Sequence, residues 1–589
     1  MQPFKGKLMP KTKPTNPAIQ ASEQALGKLR ECLSDKKSFV LEAGAGAGKT
    51  YSLVHVLRDL IDQHKFDYPR ANSKIACITF TNVAKDEILS RTDRSPLIQC
   101  DTVHGFCWAL IAPFQKQLRE LVPTLPEWIK KLAEEQKVVP EIVEYSFGHR
   151  RVGDKTLSLG HDDIIPLTVE LLKSVKFRTL FASRYPIVLV DEYQDTDASW
   201  IEAIKTHFLG LPNSPLFGFF GDHWQKIYEG GCGEIVHPSL TVIGKQANFR
   251  SVQDIVDCLN RMRPQLTQFS EDPTSKGEVS VFHTNGWTAT RRKGAHWAGD
   301  LPEEMAGQAF DSVKQSLLDG GWDFSAQRTK ILMLTHRALA KEQGYSSLPG
   351  IFSFNTSFTK KENKLIAFLV DSLEPAVECF VDKRYGAMFA ALGSKIPPIK
   401  SKADKKRWSD SMNKLLELRA TGTVGDVVSH LRSAKRPWLP DAVEQLENDL
   451  DRIDSFADGE VPRGISELAE FHKVPYREIV ALRSYHSGFS PFEVNHGVKG
   501  AEFENVLLVV GRGWSDYNFA EMLEWAANPA AVPAAKLTKY EQNRNLFYVA
   551  CSRPKKRLAI LFTQLMSPAA LATATYWFGA NSMSALHQP

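Results

Sequence analysis

No run of apolar residues in this chain approaches the roughly 18 that a membrane-crossing helix needs. The lysine-containing start, MQPFKGKLMPKTKPTNP, lacks the continuous apolar segment of a secretory signal and reads as a disordered basic tail. Cysteine is scarce and dispersed. The eight residues at 32, 77, 100, 107, 232, 258, 379 and 551 form neither a CxxC pair nor a Cys/His cluster, which argues against a zinc or iron–sulfur site and fits a reducing, cytoplasmic compartment. Neither sign of charge is in large excess, since 73 Lys and Arg face 68 Asp and Glu for a net +5. Any surface for nucleic acid therefore has to be a local basic patch. No repeat of fixed period and no nuclease motif is visible. What remains, 43% hydrophobic and 24% charged residues over 589 positions, is the composition of a soluble globular protein of about three or four domains.

The stretch Ser38 to Thr50, SFVLEAGAGAGKT, is the most informative one present. Its short apolar run breaks into glycines and ends on Lys49-Thr50, which reads as a strand running into a phosphate-binding loop. In such a loop the backbone N–H groups of Ala43, Gly44, Ala45, Gly46, Ala47 and Gly48 turn toward the phosphates of a nucleotide. Lys49 reaches the β- and γ-phosphates, and the Thr50 hydroxyl ligates Mg²⁺. Leu53, Leu57, Leu60 and Ile61 follow at helical spacing, so a helix N-terminus points at the anion, with Tyr51 in its first turn. The loop departs from the strict pattern at its first position, where Ala43 stands in place of glycine.

Further strand, loop and helix units come in order. Lys74 to Phe80 is a buried-type strand, Tyr185 to Asp191 a third and Leu216 to Gly221 a fourth, with Leu240 to Gly244 as a candidate fifth. The third strand ends on Asp191-Glu192, the paired carboxylates that metal-dependent hydrolysis needs, one near the metal and one to orient or deprotonate water. Repeated units of this kind predict a parallel sheet with its ligand sites at the carboxyl ends of the strands. Pro113 to Leu180 reads as mostly helical. A second series of strands is expected at Glu278–His283, Lys330–Thr335, Asn505–Gly511 and Arg557–Thr563, interrupted from about 345 to 485 by a helical insertion with a Lys/Pro-rich break. The loop from Thr284 to Asp300, basic and with two tryptophans, reads either as a solvated insertion or as a nucleic-acid contact.

The ordered set AGAGAGKT, ITFTN, TVHGF, LVDEYQD, FGDHWQKIY, NFRS, HGVKGAEF and YVACSR resembles the helicases of superfamily 1, UvrD/Rep/PcrA type. The resemblance implies an α/β protein with two RecA-like parallel-sheet motor domains, each carrying a mainly helical insertion. The expected layout is a tail at 1–19, motor domain 1A at 20–112 and 181–247, insertion 1B at 113–180, motor domain 2A at 248–344 and 486–565, insertion 2B at 345–485, and a tail at 566–589.

It further implies that Lys49 and Thr50 hold phosphate and Mg²⁺, that Asp191 belongs to the metal shell, that Glu192 is the catalytic base and that Gln225 senses the γ-phosphate. Arg250 and Arg553 match the family's two arginine fingers. Phe249 matches the aromatic stacked on adenine, Glu502 the ribose contact and Gln24, with Gln20 as the alternative, the base contact. Phe80, Asn82, His104, Tyr228 and His496 match positions lining a single-strand track. Where the family has a stacking tryptophan two residues after the tyrosine, this chain has Gly230. Trp224 is either a substitute platform or a buried core residue.

The implied activity is ATP-driven 3′–5′ translocation on single-stranded DNA with strand separation. The alternative is an ATP-gated sensor of DNA ends or gaps that licenses a partner nuclease, as for the compact helicases of this family found beside nucleases in bacterial anti-phage systems such as Gabija. Single-stranded or gapped DNA is the expected partner in both, and no membrane is involved.

Overall fold

The computed structural model describes residues 16–145, 150–227, 230–288, 290–294, 298–333, 344–393, 399–453, 461–486, 492–494, 501–511 and 517–588. They divide into two compact units. The first comprises residues up to Val281 with Tyr517–Leu558 and Met566–Ser584, and the second Phe282–Asp516 with Ala559–Leu565 and the last five residues.

The first unit begins with helix α1, Pro17–Ser34, whose N-cap Asn16 accepts hydrogen bonds from the backbone of Ala18 and Ile19. Its sheet is assembled from β1 (Phe39–Ala43), β2 (Ile75–Thr79), β3 (Ile98–Thr102), β7 (Ile187–Asp191), β8 (Leu216–Gly221) and β9 (Thr241–Lys245); β4 (Ile142–Tyr145), β5 (Arg151–Val152) and β6 (Thr156–Leu159) lie between β3 and β7 in the chain. The order across the sheet is β3-β2-β7-β8-β1-β9, and each neighbouring pair is parallel. Both faces are covered, as parallel sheets require. Phe39, Leu41, Cys77 and Leu189 pack with Leu53 and Leu57 of helix α2 (Lys49–His64), while Val40, Ile78, Val188 and Val190 pack on the opposite face with Phe106, Leu167 and Leu171. Each such buried aliphatic side chain contributes about 1.5–3 kcal/mol through loss of water contact.

The segment 113–180, expected to be mainly helical, also contains the three-stranded sheet β4-β6-β5. Its strands are short and alternate between buried and exposed positions amid Lys- and Glu-rich helices, so their period-2 signal is weak in the sequence. Residues 566–589, expected as a tail, form a helix at Pro568–Phe578 that buries Ala570, Ala574, Trp577 and Phe578 at helical spacing. The Arg261 guanidinium donates to the Trp577 carbonyl at 2.7 Å.

Two short strands, β10 (Ala247–Asn248) and β11 (Phe269–Ser270), pair in parallel in the first unit. A further six-stranded sheet, whose β13, β14 and β15 belong to the second unit, has the order β14-β13-β15-β16-β12-β17. Its strands are β12 (Glu278–His283), β13 (Thr329–Met333), β14 (Phe492–Val494), β15 (Phe503–Val510), β16 (Pro554–Phe562) and β17 (Met583–Ala585), and β13 pairs in parallel with both β14 and β15. Trp287 and Trp322 are buried in its core, so the first tryptophan of the basic loop serves packing. A separate helical core in the same unit gathers Leu365, Leu373, Met412, Leu431, Phe471 and Ile479. The buried Glu374 is held there by Arg419 at 2.8 Å. All eight cysteines are free thiols, seven of them buried. Among the described residues no helix is long and apolar enough to cross a membrane.

Candidate active site

The phosphate loop leaves β1 and enters α2 through two left-handed residues, Gly46 at φ 73° and Gly48 at φ 74°. A Cβ on Gly46 would meet Arg250 Cβ and Asn248 Oδ1 at 2.8 Å, which leaves no room for a side chain. Ala43, where the strict pattern has glycine, is the buried last residue of β1 and needs no special backbone. Helix α2 has no side-chain cap, so the N–H groups of its first turn remain for an anion.

Three side chains unremarked in the sequence hold this loop in place. Asn248 Nδ2 and Gln268 Nε2 both donate to the Ala45 carbonyl, at 3.2 and 3.1 Å. Lys245, fully buried, donates from Nζ to the Gly48 carbonyl at 3.0 Å and to Ser52 Oγ at 2.7 Å. Burial, and then the neighbouring Lys49, push its ammonium down to about 8. The Phe249 backbone N–H donates to the Gly46 carbonyl at 2.9 Å, placing its half-exposed ring beside the loop; Tyr51 is exposed in the first turn of α2. Gln20 and Gln24 are exposed on α1. Glu502 is exposed in the second unit, ahead of β15.

Lys49 Nζ lies 3.4 Å from the Ala43 carbonyl and 3.9 Å from Glu192 Oε1. Glu192 follows β7 in a left-handed conformation, φ 49° and ψ 46°, that only tight surroundings maintain in a residue with a Cβ. Its carboxylate accepts from Gln194 Nε2 at 2.6 Å, and Gln194 Oε1 accepts from the Asp222 N–H at 3.0 Å. Asp191 is buried, and burial followed by the adjacent Glu192 carboxylate pushes its carboxyl up to about 7. Its Oδ1 has no hydrogen-bond partner among the described residues. That orphaned oxygen at the end of β7, with the Thr50 hydroxyl at the start of α2, is the hard-oxygen donor set that suits Mg²⁺.

After β8, Asp222 accepts from Gln225 Nε2 at 2.7 Å and from Arg263 Nη1 at 2.5 Å. Burial alone would raise the Asp222 carboxyl, but Arg263, Lys49, the Gln225 amide and His223 outweigh it and hold it below its ordinary value. Gln225 Oε1 accepts from Arg553 Nη2 at 3.1 Å. Arg553 is almost wholly buried; burial, and then the nearby Arg250, push its guanidinium down to about 9, still charged at neutral pH. Arg250 Nη1 donates to the Ser552 carbonyl at 3.1 Å. Both arginines, expected in a second motor domain, thus fall within the same compact unit as the phosphate loop.

Glu42, Asp222 and His223 bring three potential metal-ligand atoms within 4.8 Å of one another. The Arg263 guanidinium bridges two of them, reaching Glu42 Oε2 at 3.2 Å, and the Tyr193 hydroxyl also donates to Glu42, so this cluster is a charge-paired brace. Trp224 packs against Arg544 at 4.1 Å and Arg263 at 5.4 Å from its ring centre and is buried there, which makes it a core residue and not a base platform. Asn545 Nδ2 ties the helix Ala534–Cys551 to the His223 and Lys226 carbonyls, each at 3.1 Å.

Of the residues expected along the single-strand track, Phe80 is partly exposed at the end of β2, and Asn82 is exposed at the start of a helix capped by Thr81. His104 stacks on His161 at 3.6 Å, and burial followed by that neighbour pushes it down to about 4. Tyr228 and His496 lie outside the described residues. Gly230 is exposed, and a Cβ there would meet nothing within 4 Å.

Residues 29–231 match the family model described as an AAA domain. The Gabija protein GajB of Bacillus cereus (strain HuB5-5) is 21% identical, with 93% of this chain and 96% of that protein aligned. The ATP-dependent DNA helicase PcrA of Staphylococcus aureus is 23% identical over 38% of this chain and 37% of its own, and that of Staphylococcus epidermidis matches to the same extent. A phosphate loop with Lys49 beside a strand-end Asp191-Glu192 pair at the carboxyl end of a parallel sheet, together with these sequence likenesses, supports a UvrD/PcrA-like superfamily 1 helicase, a DNA-dependent ATPase.

Proposed function

We propose that the chain is an ATP-driven translocase moving 3′ to 5′ on single-stranded DNA. The observation that supports this reading is the hydrogen bond from the buried Arg553 guanidinium to Gln225, three residues after Asp222 and in the unit that holds the phosphate loop. Lys49 binds the β- and γ-phosphates, Glu192 takes the proton of the attacking water, and Gln225 contacts the γ-phosphate. Arg250 and Arg553 stabilise charge developing on the transferring phosphoryl group. Thr50 and Asp191 would hold Mg²⁺, which when bound neutralises charge on phosphate oxygens. Adenine stacks on Phe249 beside Tyr51, with Gln24 and Glu502 as the base and ribose contacts. Single-stranded DNA runs over Phe80, Asn82, His104, Tyr228 and His496.

A roadblock experiment tests the motor directly. ATP-dependent displacement of streptavidin from a 5′-biotinylated oligonucleotide, but not from a 3′-biotinylated one, is the expected outcome; displacement with neither removes the motor reading.

A second reading is favoured by Gly230, an exposed glycine where the resembling helicases have a tryptophan, and by the near full-length likeness to GajB. It is a sensor of DNA ends or gaps whose ATP hydrolysis licenses a partner nuclease in anti-phage defence. DNA-stimulated hydrolysis without roadblock displacement is its signature.

A further inference from the structure

Strands β2 and β7 pair in parallel with Ile78 level with Val190, which sets Thr79 level with Asp191 at the carboxyl end of the sheet. Side chains alternate along a strand, so Thr79 and Asp191 share the face of Cys77 and Leu189, and those two pack with Leu53 and Leu57 of α2, the helix that begins with Lys49 and Thr50. On that face sit two buried oxygens with no hydrogen-bond partner among the described residues, Thr79 Oγ1 and Asp191 Oδ1. Buried polar atoms are almost always satisfied, and a hydroxyl beside a carboxylate, both orphaned, marks a place for a small polar ligand bridging them. Thr79 is followed by Phe80 and by Thr81, whose hydroxyl accepts from the Ala84 N–H at 3.1 Å and caps the helix starting at Asn82.

We propose that Thr79 is a positioning residue of the metal site, its hydroxyl holding a water of the magnesium shell next to Asp191 and thereby joining that shell to the DNA-track segment from Phe80 to Asn82. The proposal rests on the reading of Thr50 and Asp191 as the Mg²⁺ site. A threonine suits the task because its hydroxyl oxygen can accept a hydrogen bond from a metal-bound water, whose hydrogens point away from the cation. Valine has the same shape without the oxygen. In the protein free of metal and nucleotide, Thr79→Val removes an unsatisfied buried hydroxyl and leaves the melting temperature equal or higher.

The test is binding of Mn²⁺ to the full chain saturated with ADP, followed by electron paramagnetic resonance of the free ion, for wild type, Thr79→Val, Thr79→Ser and Asp191→Asn. Substitutions that remove an outer-shell hydrogen bond lower metal affinity about 10–100-fold. Expected are a loss of that size in Thr79→Val, recovery in Thr79→Ser, and a reduced stimulation of ATPase by single-stranded DNA in Thr79→Val. Wild-type Mn²⁺ affinity in Thr79→Val, with Asp191→Asn weakened, overturns the role of Thr79 and leaves the metal site standing. Wild-type affinity in both removes the metal reading and this proposal with it. Equal loss in Thr79→Val and Thr79→Ser, with lowered melting temperatures, makes Thr79 a packing residue and also overturns the proposal.

Discussion

Arg553 Nη2 donates to Gln225 Oε1 at 3.1 Å, and Gln225 Nε2 donates in turn to Asp222 at 2.7 Å. The carboxylate therefore fixes which end of the amide faces the guanidinium. A γ-phosphate arriving at Gln225 offers Arg553 a charged acceptor in place of a neutral one, and charge-assisted hydrogen bonds are the stronger kind.

Arg553→Ala is expected to lower ATP turnover by about 10³–10⁵, the range of arginine fingers, while nucleotide affinity changes far less. Single-turnover hydrolysis and equilibrium binding of a fluorescent ATP analogue separate the two. Equal losses would make Arg553 a ground-state contact.

Glu192→Gln should abolish hydrolysis and leave ATP binding intact, because the substitution keeps the hydrogen-bonding shape and removes only the basic oxygen. Lys49→Ala should lose both, since Lys49 carries charge to the phosphates. Wild-type hydrolysis by Glu192→Gln would assign the base to another residue.

Gly230→Trp is expected to fold normally, as the Cβ direction is open and the residue is not among the glycines of positive φ. The added ring supplies a stacking contact worth about 1–3 kcal/mol per base. Distance moved per ATP on single-stranded DNA should rise with basal ATPase little changed. Processive unwinding by the wild type alone would show that the platform is already present elsewhere.

Lys245 gives a pH signature. Its ammonium is pushed down to about 8 from an ordinary 10.5, so between those values the unfolded chain binds more protons than the folded one, and stability rises with pH. The slope is at most about 1.4 kcal/mol per pH unit. Lys245→Met should remove this contribution, visible as a wild-type minus variant difference in urea unfolding that grows from pH 8 to pH 10. A flat difference would mean that the ammonium titrates normally.

The strands that bear chemistry were legible because each is a continuous apolar run ending in polar residues. β1, β2, β7 and β8 all lie within the expected stretches, and Lys49, Asp191, Glu192 and Gln225 follow from their ends. Ala43 looked like a departure and turns out to be a strand residue. What could not be read is pairing across distance. Arg263 reaches Asp222 over 41 residues and Asn248 reaches Ala45 over 203, and no periodicity encodes either contact. Asn248 stood beside two singled-out residues in NFRS and was within reach; Lys245, Arg263 and Gln268 carried no local signal. The compact unit that holds the phosphate loop also includes the helix Gln253–Met262 and strands β10 and β11.

The burial of the thiols makes this protein a ready subject for site-specific dye attachment. Only thiolates react quickly with maleimides, and burial pushes Cys107 and Cys232 up to about 12 and Cys258 to about 11, and raises Cys551 well above its ordinary value. A cysteine installed at exposed Gly230 would ionise far more readily than these native thiols. A fluorophore could then be seated at position 230 in preference to those four thiols.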